Sequence, residues 1–191
     1  MSSQPSVLPQ RGLNERQVET VERLFASART LLDEAAYDDI SIRLVASGAG
    51  VSAATAYTYF SSKDHLFATL YWRHLADAGR PELTGGPTDR LRQTVRHLAD
   101  TAAAGPMLSA AATKSLLASD PDVERVRRAV GQHWYALFSE ALGEHAEPTL
   151  IRTLTFMFSG ALIEAGVGMI EYADLGRELE GAVALLTRDG A

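Results

Sequence analysis

Ser41-Ile42-Arg43-Leu44-Val45-Ala46-Ser47-Gly48-Ala49-Gly50-Val51-Ser52-Ala53-Ala54-Thr55-Ala56-Tyr57-Thr58-Tyr59-Phe60 reads as a short helix, a glycine turn and a second short helix with a polar, aromatic outer face. Ser41 is placed to cap the first helix by accepting a hydrogen bond from an otherwise free backbone N–H, and Ser52 to cap the second. Val45, Ala46 and Ala49 fall on one face at helical spacing. Gly50 sits where the chain must turn sharply, and glycine tolerates the positive φ of such a turn. Ala46 and Ala56 are small enough for two helices to cross closely. This is the pattern of a helix-turn-helix, whose second helix fits the major groove of DNA.

The flanks extend the reading. Residues 1–13 carry Ser, Gln, Pro and Gly without apolar periodicity and are expected to form a flexible arm. Asn14 with Gln17 makes a capping box. From there Val18, Val21, Leu24, Phe25, Ala28, Leu31 and Leu32 recur at helical spacing, predicting a long amphipathic first helix. Ala35 to Asp39 breaks it. After the motif, Ser61 with Asp64 reads as a second capping box, opening a helix to about Ala78. Gly79 to Pro87, with two prolines and three glycines in nine positions, is the clearest linker. The division expected is residues 14–79, the helix-turn-helix part with its connecting helix, and residues 80–191, a helical remainder.

That remainder stays helical in pattern, over about 87–104, 107–118, 121–142, 148–167 and 174–186. Asp120 precedes Pro121 as a cap residue before a proline at the first helical position. Gly143 ends the helix that Pro121 begins. No strand-like alternation competes, so the fold class is all-α: an N-terminal three-helix module followed by a C-terminal helical bundle.

Composition bounds the function. The 191 residues are 46% hydrophobic and 22% charged, with a net charge of −6, which excludes a polycationic DNA coat. From Ser41 to Arg80, however, Arg43, Lys63, Arg73 and Arg80 outnumber Asp64 and Asp77. Cysteine is absent, so thiol nucleophiles and thiolate metal sites are excluded. There is no HExxH, no nucleophile elbow and no phosphate-cradling glycine loop, which argues against an enzyme; no cofactor or metal is expected. His97, His133 and His145 read as surface or core residues rather than ligands. No signal peptide or membrane-length apolar run is present, so the expected location is cytoplasmic.

The residues Tyr37, Val45-Ala46, Ala49-Gly50-Val51-Ser52, Thr55, Tyr57, Tyr59-Phe60 and Ser62-Lys63-Asp64-His65-Leu66 resemble the signature of TetR-type transcriptional regulators. The resemblance covers roughly residues 16–70. Ala36, Ala54 and Ala56 depart from the usual pattern, Ala56 by replacing a larger aliphatic residue, which thins the core unless Phe25 or Phe60 fills the gap. The resemblance implies a homodimer on a palindromic operator, with a C-terminal bundle that binds a small effector and dimerises. A ligand-released repressor is the leading expectation. The alternatives are an activator, or a regulator without an effector that is controlled by a protein partner.

Candidate DNA contacts are Ser52, Thr55, Tyr57, Thr58 and Tyr59 on the second helix, whose hydroxyls suit phosphate oxygens or base edges. The alternative is that they merely solvate an exposed helix. Arg43 is the candidate charged contact, unless it pairs with Asp38 or Asp39. Lys63, in the first turn of its helix where the dipole disfavours a cation, is a candidate phosphate grip, or a solvated lysine. In the C-terminal part Trp72, Met107, Trp134, Phe138, Phe156 and Met157 are candidates to line a pocket for an apolar effector; the alternative is bundle core or dimer interface. Gly160, Gly166 and Gly168, with Ala161 and Ala165, call for close helix approach or ligand space.

Overall fold

In a computed structural model, residues 14–187 are described. The expected arm, residues 1–13, lies outside them. Among the described residues there are nine α-helices and no strand. They are α1 (Glu15–Glu34), α2 (Ile42–Gly48), α3 (Ala53–Tyr59), α4 (Lys63–Asp77), α5 (Pro87–Ala103), α6 (Pro106–Ser115), α7 (Pro121–Leu142), α8 (Pro148–Gly166) and α9 (Leu175–Leu186).

Packing divides the chain into two units, and each unit is made of two stretches. Of the described residues, one unit comprises 14–74 together with Ala111–Ala129; the other comprises Leu75–Ala110 and 130–187. The linker-based division at residue 79 follows the chain in order, whereas α6 and α7 each contribute to both units. Nothing in the local sequence marks residues 111–129 as belonging with the helix-turn-helix.

In the first unit, α1 starts as its capping box requires. Asn14 Oδ1 accepts from the Gln17 N–H at 3.0 Å, and Gln17 Oε1 accepts from the Asn14 N–H at 2.9 Å. Its apolar stripe, Val21, Leu24, Phe25, Ala28 and Leu32, is buried. Ser41 caps α2 and Ser52 caps α3, each accepting a backbone N–H three residues on. Between them Gly50 takes φ +66°, the left-handed conformation the turn needs. Val45, Ala46, Ala49 and Ala56 are all buried. Phe25 and Phe60 are buried as well, their ring centroids 5.5 Å apart.

At the start of α4 the expected cap is displaced by one residue. Ser62 Oγ, not Ser61, accepts the His65 N–H, at 3.1 Å. Asp64 is not part of a capping box; it accepts the Tyr37 hydroxyl. Tertiary bonding has taken the side chain that the local pattern assigned to the helix end.

In the second unit, α5 packs along α9, and Arg96 Nε bonds Glu180 Oε1 at 2.6 Å where they meet. Leu91, Val95 and Leu98 of α5, Leu154 and Phe158 of α8, and Leu179 and Val183 of α9 are buried. One helix ends earlier than its periodicity suggests, while α8 ends within a residue of its expected bound. α6 stops at Ser115, where Leu116 to Ala118 form turns. α8 stops at Gly166, and Gly168 at φ +79° reverses the chain. No described helix is long and apolar enough to cross a membrane.

Candidate nucleic-acid interface

The exposed face of α2 and α3 is set by what the opposite face buries. Because Ile42, Val45, Ala46, Ala49 and Ala56 point into the core, helical geometry turns Arg43, Leu44, Ser47, Tyr57 and Thr58 outward. Tyr57 is 49% exposed and Leu44 43% exposed. Tyr59 and Thr55 are half-buried.

Several of these side chains are partly committed to the helix itself. Ser52 Oγ accepts the Thr55 N–H at 3.0 Å and shares a hydrogen bond with Thr55 Oγ1 at 2.8 Å. Thr58 Oγ1 donates to the Ala54 carbonyl at 3.1 Å. Tyr57 is different. Its exposed hydroxyl has no hydrogen bond among the described residues, leaving a donor and an acceptor for a partner.

Arg43 is exposed and holds no ion pair among the described residues. Asp38, one of the carboxylates that might have neutralised it, is taken by Lys114, with Nζ 2.6 Å from Oδ2. That hydrogen bond, first among the causes, holds the Asp38 carboxyl below the usual carboxylate range.

Lys63 has a neighbour the sequence does not reveal. Its Nζ donates to the Tyr37 carbonyl at 2.9 Å and lies 4.2 Å from the centre of the Tyr37 ring. An ammonium has three donors, so two remain. Tyr37 itself is fixed from several sides: its hydroxyl donates to Asp64 and accepts from Ser115 Oγ at 2.9 Å, and its ring meets Phe67 edge-on at 5.2 Å. Burial first, and then the bond to Asp64, push its phenol well above the ordinary value, so it stays a donor to that carboxylate.

Other contacts that shape this unit escaped the sequence reading. Arg73 of α4 pairs with Glu22 of α1. Ser27 Oγ donates to the Val45 carbonyl at 2.9 Å, tying α1 to α2. Asp120 accepts the hydroxyls of Ser61 and Ser62 at 2.9 and 2.6 Å. Each partner is separated in sequence by 18 residues or more, and polar pairs at that distance leave no periodic signal.

The candidate effector residues are distributed rather than gathered. Trp72 is buried in the first unit. Trp134 and Phe138 are buried in the second, with the Trp134 ring edge-on to Phe158 at 5.0 Å. Met157 is half-buried. Met107 and Phe156 are exposed, at 49% and 69%. The indole Nε1 of Trp134 is buried without a hydrogen-bond partner among the described residues.

Comparison with known proteins bears on the same residues. Residues 24–70 match the model of the family described as bacterial regulatory proteins, tetR family. An uncharacterized HTH-type transcriptional regulator of Mycobacterium tuberculosis is 37% identical over 176 residues, covering 91% of this chain and 83% of that one. The HTH-type transcriptional repressor KstR of Mycolicibacterium smegmatis is 27% identical over 183 residues, covering 91% of this chain and 89% of that one. Among solved structures, a TetR transcriptional regulator from a Rhodococcus species superposes with a TM-score of 0.71 at 25% identity, covering 92% of this chain and 99% of that one.

Proposed function

Because the chain belongs to the tetR family of bacterial regulatory proteins and is a DNA-binding transcriptional regulator, we propose that it acts as a repressor on a palindromic operator. The regulator is not an enzyme. The observation that carries the reading is the outward face of α2 and α3, where Arg43 holds no ion pair and the Tyr57 hydroxyl no hydrogen bond among the described residues. Arg43 and Tyr57 are assigned to base edges or phosphates, Ser52, Thr55, Thr58 and Tyr59 to close polar contact, and Lys63 to a phosphate. Repression is favoured over activation by the similarity to a protein named as a repressor. The protein acts where its DNA is, in the cytoplasm.

Two copies are required because one short recognition helix reads few base pairs, and a two-fold pair doubles the contact and sets half-site spacing. Helix α8 offers the surface. Phe156, Ile163 and Val167 are exposed at 69%, 45% and 67% on one stripe, with exposed Gly160 between them. A Cβ at Gly160 would meet no other element within 4 Å among the described residues, so packing among them does not call for its smallness. Interior glycine costs a helix up to about 1 kcal/mol against alanine. Close approach of a second copy accounts for it.

A small, mainly apolar effector is assigned to the second unit, near Trp134 and Phe138. The orphaned Trp134 N–H favours an effector that also carries a hydrogen-bond acceptor, since a buried donor without a partner costs about 1–3 kcal/mol.

The test is selection of duplexes from a random pool by the purified protein, followed by titration of the enriched sequence. A two-fold symmetric sequence, bound with a steep salt dependence, supports the reading. Enrichment of no sequence overturns it, and enrichment of an unsymmetric one overturns the palindrome. Expression from a reporter carrying the sequence must rise when the regulator is deleted; a fall makes it an activator.

A further inference from the structure

The recognition helix ends at Tyr59, and α4 begins at Lys63. Phe60 is fully buried, so the connector free to set the angle between these helices is Ser61-Ser62. Its backbone is served locally. The Ser61 N–H donates to His65 Nδ1 at 3.2 Å, Ser62 Oγ accepts the His65 N–H at 3.1 Å, and the Ser62 carbonyl accepts the Leu66 N–H at 3.1 Å.

Its two hydroxyls reach further. Ser61 Oγ, which also lies 3.3 Å from His65 Nδ1, and Ser62 Oγ both donate to one oxygen of Asp120, Oδ2, at 2.9 and 2.6 Å. The other oxygen, Oδ1, accepts the Asp122 N–H at 2.8 Å, in the first turn of α7. A single carboxylate thus joins the connector after the recognition helix to the start of a helix about sixty residues away. Around it stand His65, whose Nδ1 is 4.0 Å from Asp122 Oδ2, and Phe60, whose ring lies edge-on to His65 at 5.6 Å. Partial burial works to raise the Asp120 carboxyl, but the Ser62 and Ser61 hydroxyls and His65 together hold it below the ordinary value. The ionised form is the one that accepts both hydroxyls.

We propose that Asp120 is a positioning residue for DNA binding, fixing the direction of α3 through the Ser61 and Ser62 hydroxyls without touching the nucleic acid. The inference rests on α3 being the DNA-reading helix. Its energetic basis is preorganisation. A two-residue connector without this anchor samples several helix angles, and apparent affinity falls in proportion to the fraction of molecules in the competent one. Bonds to a charged acceptor are roughly twice as strong as neutral ones, so losing the charge shifts that fraction.

The test uses the full-length protein and the duplex that the wild type enriches from a random pool. Asp120→Asn keeps the size of the side chain and an oxygen for the α7 cap, where asparagine ranks with aspartate. It should bind on the order of tenfold more weakly, with a cooperative melt only modestly lowered and an unchanged slope of affinity against salt. A phosphate ligand would lower that slope by about 1 when removed, so the unchanged slope separates positioning from contact. Ser61→Ala should weaken binding in the wild type and add nothing in the Asp120→Asn background, while Ser61→Thr restores it.

Affinity of Asp120→Asn equal to wild type overturns the proposal. So does tighter binding, which would make the carboxylate a simple repeller of phosphate, and so does an effect of Ser61→Ala that persists in full beside Asp120→Asn. If the wild type enriches no sequence, the assignment of α3 to DNA fails and takes this inference with it; a variant indistinguishable from wild type removes the inference alone.

Discussion

A Cβ placed on Gly48 would sit 2.4 Å from Ser27 Oγ, closer than any real contact allows. Ser27 cannot easily retreat, because its hydroxyl is nearly buried and donates to the Val45 carbonyl at 2.9 Å. Gly48→Ala is therefore expected to force α1 and α2 apart and to destabilise the protein by about 1–3 kcal/mol, the usual range for overpacking. Adding Ser27→Ala removes the clashing oxygen and should restore part of the loss. Thermal melts of the two single variants and the double variant check this; simple additivity would refute it.

Ala56 is fully buried. Putting a larger aliphatic residue there, as Ala56→Leu, should cost about 1–3 kcal/mol because a close-packed core must shift to admit the added atoms. Phe60→Ala should cost about 3–5 kcal/mol by opening a cavity. Denaturant titrations give both numbers.

Arg43→Ala should weaken binding of the selected duplex by about 1–3 kcal/mol and relax the sequence preference at one position per half-site. Lys63→Ala should instead weaken all sequences alike and lower the salt slope by about 1. It should also lose some stability, since the ammonium holds the Tyr37 carbonyl. Titrations at several salt concentrations separate the two roles.

Phe156→Asp, on the exposed stripe of α8, should convert the protein to a monomer in sedimentation and abolish high-affinity operator binding, while leaving the melting temperature of dilute protein little changed. An unchanged sedimentation coefficient would refute the assignment of this stripe to a contact between two copies.

Stability should rise with pH between about 5 and 7. His65, His97 and His133 all sit below the ordinary imidazole value, in each case first because burial disfavours the charged ring. At His65 Asp120 works against this and Arg125 adds to it; Arg80 and His97 add to it at His133, while the Gly79 carbonyl and Asp100 work against it at His97. The unfolded chain then binds more protons than the folded one as pH falls through about 6.5, and the folded state loses ground. His133→Gln should flatten that slope in chemical denaturation across the window.

The local elements were legible because their causes are local. Asn14 with Gln17, Ser41, Gly50 and Ser52 state where helices start and turn. The apolar spacing of Val21 to Leu32 and of Val45 to Ala56 states which faces are buried. The outward face of α3 follows by subtraction. Ser61 misled because a serine pair offers two caps one residue apart; the helix takes Ser62, and Asp64 goes to the Tyr37 hydroxyl.

What the sequence by itself determined is the all-α class, the helix-turn-helix and the residues it turns outward. Backbone hydrogen bonding, glycine conformation and hydrophobic periodicity act over a few residues and are written in order along the chain. Only the tertiary structure decided that Lys63 rests on Tyr37, that Lys114 takes Asp38, and that residues 111–129 pack with the helix-turn-helix. Those outcomes depend on single polar atoms meeting across 26 to 76 residues of chain. Such meetings are fixed by the packing of whole helices, and no local pattern encodes them.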